Sequence, residues 1–306
     1  MYFFQRNKLR SYLYYFIFSI SITLFTPHLS AEQVIFADTV KAEDFRLRYI
    51  KALRGQKAVD IENYIPNKVG SQREIVEMII LQKALYLGGD KRTVTFRPKD
   101  SLILREVTPL VKGESLIYGN TLWFEAIKDY QGSLYISDPI IRYGEFEAGF
   151  YTSSNNNKAL ATKIDTLNEL TVITNRQWVA DWRALHNSPV QTVNFMGSWV
   201  EMLNMVEYQL VDAMLINFSL QKNLQLYFNE KIYTPIPNIK IMLPDSRHFV
   251  VSKKHPNGKL VFEALNKGIR IMRESGEIEK FYRQAGFINA TVKDWAIANS
   301  SMMGSR

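Results

Sequence analysis

Polar side chains that could hold a small molecule follow three short apolar runs in the second half of the sequence. The runs are strand-like and cover residues 170–174, 191–195 and 211–216. Ligands in open α/β sheets bind beyond the carboxyl ends of such strands, where backbone amides at helix starts are unpaired. Hydrogen bonding to a small polar solute is the chemistry that these loops could perform. The candidates are Thr174, Asn175, Arg176, Ser198, Trp199 and Asn217.

Several of these candidates have a second, purely structural interpretation. Arg176 could bind a carboxylate or phosphate through two parallel hydrogen bonds, or it could be a solvated arginine at a helix start. Ser198 forms a Ser-x-x-Glu pattern with Glu201, which predicts a helix cap first and a ligand contact second. Trp199 could stack on a flat or sugar-like ligand or pack in the core. The sequence leaves these alternatives open.

The composition excludes most reactive chemistry. The 306 residues include no cysteine, so thiol nucleophiles, cysteine-bound metals and disulfides are excluded. The 4 histidines include no pair four residues apart, which gives a histidine metal site little support. No hydrolase, nucleotide-binding or zinc-protease motif occurs, and no pair among the 30 acidic residues is singled out as a glycosidase pair. We therefore expect no catalytic residue, no metal and no cofactor.

The first 31 residues have the order of a secretory signal peptide. Arg6, Lys8 and Arg10 precede an apolar run over residues 12–25, and Pro27 breaks its continuation before Ala31. The run is shorter than the roughly 20 residues of a spanning helix, so cleavage after Ala31 is favoured over a retained anchor. Removing the segment lowers the net charge from +8 to +5, which leaves no electrostatic footprint for nucleic acid. We expect a periplasmic protein with no nucleic-acid partner.

Alternating strand and helix patterns must position the candidate residues. Residues 177–185 have helical composition, and Ser198 begins a helix that runs to about residue 208. The resulting order β-α-β-α-β predicts parallel strands with helices on the faces of the sheet. The remaining patterns predict strands at 33–37, 92–96, 115–118, 134–137, 149–152 and 248–252, and helices at 71–87, 100–111, 260–274 and 277–284.

Several segments, in the right order, resemble the type 2 periplasmic binding proteins, specifically the solute-binding family 3 group. The most specific is FVVSKKHPNGKLVFEALNKGIRIMRESGEIEKFY (249–282), which follows the family's strand, Lys-x-x-Pro turn, long helix and final helix. The others are the strand at 33–37, the helix at 75–87, YISDPIIRYGEFEAGFY (135–151), TLNELTVIT (166–174) and VDAMLINF (211–218). The resemblance covers nearly the whole chain after residue 31.

The resemblance implies a two-lobed α/β fold, in which each lobe is a mostly parallel sheet flanked by helices. Residues 32–150 and 245–306 would form the first lobe and residues 151–244 the second, joined by two crossing strands. Hinge closure would exclude water around a ligand in the cleft. The first lobe would contribute ligand candidates at comparable positions: Tyr118, Asn120, Thr121, Trp123, Asp138 and Arg142. Trp123 could equally pack in the core, and Arg142 could equally be a surface charge.

Two departures from the family argue against an ordinary amino acid as the ligand. Amino-acid binders of this group hold the α-carboxylate with an arginine in a Thr-x-x-Arg segment, and residues 119–130 here contain no arginine. They hold the α-ammonium with an aspartate where this chain has Asn217, and an amide supplies no charge to balance a buried ammonium. A neutral or anionic small molecule, or no ligand, fits better.

Three hypotheses for function follow. The first is a monomeric periplasmic solute-binding protein, not an enzyme, that captures a small polar molecule for the inner-membrane permease of an ABC transporter. The alternative is an envelope sensor or partner-binding module of the same fold, which acts with a membrane-bound sensor and without a transported ligand. The third is a hydrolase on a related fold, for which the sequence offers no specific residue.

Overall fold

The computed structural model describes residues 34–40, 43–66, 73–99 and 107–302. The signal peptide, the cap expected at Ser71 and the helix start expected at Asp100 lie outside these residues. None of the described helices is long and apolar enough to cross a membrane.

The described strands and helices alternate along most of the chain. The strands are β1 Val34–Val40, β2 Thr93–Lys99, β3 Ile117–Tyr118, β4 Leu122–Trp123, β5 Leu134–Ile136, β6 Glu147–Ser153, β7 Thr171–Thr174, β8 Gln191–Asn194, β9 Ala213–Asn217, β10 Leu226–Phe228, β11 Lys231–Met242, β12 Arg247–His248, β13 Val250–Ser252 and β14 Ala296–Ile297. The α-helices are α1 Glu43–Leu53, α2 Arg73–Gly88, α3 Thr108–Lys112, α4 Phe124–Ile127, α5 Asn157–Leu160, α6 Val179–His186, α7 Trp199–Glu207, α8 Gly258–Glu274 and α9 Glu277–Gln284.

Five strands form the first sheet, in the order β2-β1-β3-β13-β5. β1 runs parallel to β2 and β3, whereas β13 runs antiparallel to both of its neighbours. The strand expected at 248–252 is divided, because the backbone of Phe249 bonds to Ser137 while Arg247 and His248 pair with β4. Because the strand divides here, Arg247 lies outside the first sheet and its side chain reaches Thr121.

The second sheet has the order β10-β11-β6-β9-β7-β8, with β14 beside β11. β7 pairs in parallel with β8 and β9, which confirms the predicted β-α-β-α-β unit. Val172 and Ile173 are both fully buried, and they belong to apolar clusters on opposite faces of the sheet. Both faces are therefore covered by helices, as parallel strands require. The lobe boundaries expected at residues 150 and 244 stay a prediction.

The closest helix packing behind the first sheet is between α2 and α8. A Cβ added to Gly268 would lie 1.7 Å from the carbonyl oxygen of Ala84, and one added to Gly88 would lie 1.7 Å from that of Ala264. The two backbones therefore touch directly, and only glycine permits this approach. The contact holds α2 against the sheet. α2 also carries a buried charged residue, Glu77, which contacts the loop that follows β3.

The predicted helix ends are confirmed where the structure describes them. α9 spans the expected residues, and Gly276 and Gly286 adopt left-handed conformations, with φ of +75° and +76°. α2 ends at Gly88, as expected, with Gly89 following at positive φ. The described part of the segment expected to be helical at 100–111 begins its helix at Thr108, with Pro109 at the second position, where a missing N–H costs nothing.

Candidate functional site

A buried carboxylate organises the polar loop after β3. Glu77 is 0 % exposed, and its Oε1 accepts hydrogen bonds from Thr121 Oγ1 at 2.6 Å and from Arg73 Nη1 at 2.8 Å. Its Oε2 accepts from the backbone N–H of Thr121 at 3.0 Å. A buried charge is tolerated when it is paired and hydrogen bonded in this way. Glu77 therefore fixes both the backbone and the side chain of Thr121.

Arg247 lies on the other side of Thr121. Its Nε donates to Thr121 Oγ1 at 2.8 Å and its Nη2 donates to the Thr121 carbonyl oxygen. The guanidinium also lies 4.6 Å from the ring centroid of Trp123 and 3.7 Å from Glu77 Oε1. Burial lowers the pKa of Arg247 to about 10, so the group is still cationic at neutral pH. No described residue accepts a hydrogen bond from Nη1, which leaves that nitrogen for another acceptor.

α6 of the second sheet faces this arrangement. Arg183 Nη1 lies 3.3 Å from Glu125 Oε2 on α4, so the helices of the two sheets are bridged directly. Two residues earlier on the same helix, Asp181 is close enough to Arg247 for their charges to interact. Desolvation raises the pKa of Asp181 to about 7, and Arg247 opposes that rise. An acid and a guanidinium thus stand on opposite walls of the gap between the sheets.

No protein-family model matches the chain, and no curated protein matches it. Among solved structures, substrate-binding domain 2 of GlnP from Lactococcus lactis, in an open conformation, is similar at 12% identity and a TM-score of 0.51. The similarity covers 85% of this chain and 97% of that one. A probable amino-acid ABC transporter extracellular-binding protein from Bacillus subtilis is similar at 14% identity and a TM-score of 0.50, over 84% and 98% of the chains.

The chain has the fold of the type 2 periplasmic binding proteins. This confirms the predicted two-lobed α/β architecture. In a protein with this fold the two sheets are the cores of two lobes with a cleft between them, and the gap that Arg247 and Asp181 face is the candidate for that cleft. At such low identities the similarity establishes the fold and carries no ligand over to this chain.

Two of the residues expected on the first lobe, Thr121 and Trp123, meet at Arg247, and the polar atoms of Asn120 bind other parts of the protein. Thr121 and Trp123 contact the guanidinium as described. Asn120 accepts a hydrogen bond from Thr39 Oγ1 at 2.7 Å and donates to the Glu74 carbonyl oxygen at 3.2 Å. Loop residues at the end of β3 therefore build the support for the arginine.

The other first-lobe candidates contact different parts of the lobe. Tyr118 is buried in an apolar cluster with Leu110 and Ile127. Asp138 accepts hydrogen bonds from Asn266 and Arg270 of α8, at 3.1 and 2.7 Å. Arg142 is exposed and pairs with Glu145 at 2.5 Å. The structure does not show these three side chains in contact with Arg247.

The second-lobe candidates at the carboxyl end of β7 lie where the sequence predicts. Thr174 is 1 % exposed, and its Oγ1 has no hydrogen-bond partner among the described residues. Asn175 Oδ1 accepts from the backbone N–H of Gln177 at 2.8 Å, which fixes the turn into α6. Arg176 is exposed, 6.0 Å from the ring centroid of Trp182. Thr174 is the member of this group with an unused polar atom.

The remaining second-lobe candidates, Ser198, Trp199 and Asn217, have structural roles. Ser198 Oγ accepts from the backbone N–H of Glu201 at 3.2 Å, and Glu201 Oε2 accepts from the Ser198 N–H at 2.7 Å, which confirms the predicted capping box. Trp199 packs edge-on against Phe228, with centroids 5.1 Å apart. Asn217 is the last residue of β9 and pairs with Ala148 of β6.

Sequence reasoning missed Glu77, Asp181 and Arg247. Glu77 had a usable signal, since it interrupts the apolar run of α2 at a position flanked by buried residues. Asp181 looks like an ordinary acid in the first turn of a helix, which the helix dipole favours. Arg247 reaches the cleft only because β12 leaves the first sheet and pairs with β4, a long-range pairing that local patterns do not predict.

Proposed function

We propose that this protein is a solute-binding protein whose cleft takes a small polar molecule with an anionic or acceptor-rich group. The observation that carries the proposal is the guanidinium of Arg247, held by Thr121 and Trp123 with Nη1 left for an acceptor. Because the protein already fixes two nitrogens of this planar group, the arginine side chain loses little further freedom when a solute binds.

Binding rather than catalysis is the proposed activity, and the periplasm is the proposed place of action. Both structural relatives are described as substrate-binding or extracellular-binding components, and one is described as part of an amino-acid ABC transporter. In the proposed cycle the monomer captures its solute after export and delivers it to an inner-membrane permease. The solute is not an ordinary amino acid, because Asn217 and the arginine-free stretch 119–130 remove both halves of the family's zwitterion clamp.

A second candidate is an envelope sensor or partner-binding module without a transported ligand. The observation that favours it is the ion pair between Arg183 on α6 and Glu125 on α4, which bridges helices of the two sheets. A pair of this kind would hold the two lobes together without a solute. In that case the partner would be a membrane-bound sensor protein.

Ligand-dependent stabilisation separates the two candidates. Purified protein is heated with millimolar small carboxylates, phosphate esters, sugars and amino acids. A solute present at 100 times its Kd adds about 2.7 kcal/mol to the free energy of unfolding. We expect a carboxylate or another acceptor-rich compound to raise the Tm, and amino acids to have the smallest effect.

The Arg247→Gln variant should lose that shift, while Arg142→Gln, an exposed arginine paired with Glu145, should keep it. A well-folded wild type whose Tm no compound changes would contradict solute binding. Recovery of a sensor protein instead of a permease in an envelope pull-down would then favour the second candidate.

A further inference from the structure

One ion pair bridges α4, which follows β4, and α6, which connects β7 and β8 of the second sheet. Arg183 Nη1 lies 3.3 Å from Glu125 Oε2, and the two side chains are 39% and 30% exposed. An ion pair that is this accessible to water contributes little to stability and is readily broken. The pair can therefore form and separate as the two lobes move, without being a permanent link between them.

The first lobe holds Glu125 in place independently of Arg183. The backbone N–H of Glu125 donates to Asp245 Oδ2 at 3.3 Å, and the N–H of Phe124 donates to the carbonyl oxygen of Ser246 at 2.8 Å. Asp245 is 4% exposed, and its Oδ1 accepts from the Ser246 N–H at 2.7 Å. The start of α4 is thus bound to the loop before β12, so Glu125 keeps its position when α6 moves away.

Lys128 shares the carboxylate of Glu125 with Arg183. Its Nζ donates to Oε1, whereas Arg183 approaches Oε2. The hydrogen bond from Lys128 is the main cause that holds the pKa of Glu125 below its usual range, and the charge of Arg183 acts in the same direction. Lys128 follows α4 directly and moves with it. Glu125 therefore keeps a cationic partner when the lobes separate.

Two acids lie beside this cluster. Asp129 is exposed and attracts Lys128, which it follows in the chain. Asp245 attracts Arg183 and repels Glu125, although burial raises its pKa and so favours its neutral form. Lys128 and Arg183 repel each other, because both are cations next to one carboxylate. Each cation therefore weakens the pair that the other forms with Glu125.

We propose that Arg183 and Glu125 form a latch that favours the closed cleft when no solute is bound, and that Lys128 weakens this latch by competing for the same carboxylate. The inference rests on the hinge closure of the proposed function. Opening replaces the Arg183–Glu125 pair with a hydrated guanidinium and leaves the Glu125–Lys128 pair intact. Because both pairs are exposed, the latch changes the ratio of closed to open forms by about threefold. A solute that contacts both lobes shifts the same balance further.

The absence of cysteine allows a direct test without any added solute. Exposed Lys112 and Glu169, one in each expected lobe, are replaced by cysteine and labelled with nitroxides, and pulsed EPR measures the distance between the labels. In Glu125→Gln and in Arg183→Gln, we expect the ratio of the shorter, closed distance to the longer, open distance to fall about threefold.

Lys128→Gln separates a competitor from a residue that merely supports α4. The ratio of closed to open distances should rise about twofold, because Arg183 then has the carboxylate to itself. In the double variant with Glu125→Gln this rise should disappear, since no carboxylate is left to compete for. Glu263→Gln and Lys259→Gln, which break an exposed pair within α8, are the matched controls and should follow the parent protein.

Salt gives a second measurement that needs no substitution in the latch. Raising the ionic strength from about 0.01 M to about 1 M shortens the screening length from about 30 Å to about 3 Å, so the closed fraction should fall in the parent and stay constant in Glu125→Gln. A closed fraction that neither salt nor Glu125→Gln lowers, or one that Lys128→Gln lowers, overturns the latch. Failure of the proposed function is a different result, namely that no compound changes the Tm, whereas the label distances are measured without solute.

Discussion

Replacing Gly268 with alanine tests the contact that holds the site in place. The new Cβ would lie 1.7 Å from the carbonyl oxygen of Ala84, where ordinary contact begins at 3.4 Å, so α8 and α2 must separate by about 1.7 Å. Overpacking of this kind costs about 3 kcal/mol, because a backbone oxygen cannot rotate away. Alanine recovers about 1 kcal/mol of helix propensity over glycine. We therefore expect the free energy of unfolding to fall by about 2 kcal/mol.

Urea denaturation followed by circular dichroism measures this loss. Gly132→Ala is the matched control, since a Cβ there meets nothing within 4 Å, and its stability should stay near that of the wild type. Gly88→Ala clashes with Ala264 across the same helix pair, and one separation of the helices relieves both clashes. The double variant should therefore lose less than the sum of the single losses. Full additivity, or a Gly268→Ala variant as stable as the wild type, would refute the backbone contact.

Two further substitutions test buried polar groups. Glu77→Gln leaves Arg73 and Arg247 without their shared carboxylate, so the free energy of unfolding should fall by about 3 kcal/mol in urea denaturation, and a loss below about 1 kcal/mol would contradict the network. Thr152→Val removes a fully buried hydroxyl that has no hydrogen-bond partner among the described residues, so it should raise the free energy of unfolding by about 1 kcal/mol; a lower Tm would contradict this.

Local patterns predicted the second sheet well because its strands and helices are set by short-range signals. β7, β8 and β9 are apolar runs of strand length, and Ser198 with Glu201 marks the start of α7. Parallel pairing then follows from the helical crossovers. The division of the strand at Phe249 depends instead on hydrogen bonds to Ser137, over a hundred residues earlier in the chain. No periodicity within residues 248–252 carries that information.

The candidate site was predicted less well than the fold for a related reason. The loops at the strand ends were located, but most of their polar atoms bind neighbouring backbone or side chains, as Asn120 and Ser198 do. Thr174 is a predicted residue that keeps an unused hydroxyl, whereas Arg247 and Asp181, which the sequence did not single out, lie on elements whose contacts are long-range. Residue type at a strand end predicts where a cleft is, whereas the long-range pairing decides which atoms remain for a ligand.

The balance of charge in the cleft limits the kind of solute that fits the proposal. Glu77 lies close enough to Arg247 to offset much of its charge, so recognition by the guanidinium depends on the direction of its N–H groups more than on net attraction. An ammonium would face the N–H groups of Arg247, and Asn217 supplies no charge to compensate it. Donors of this kind fit a molecule with oxygen acceptors, which agrees with the predicted loss of the zwitterion clamp.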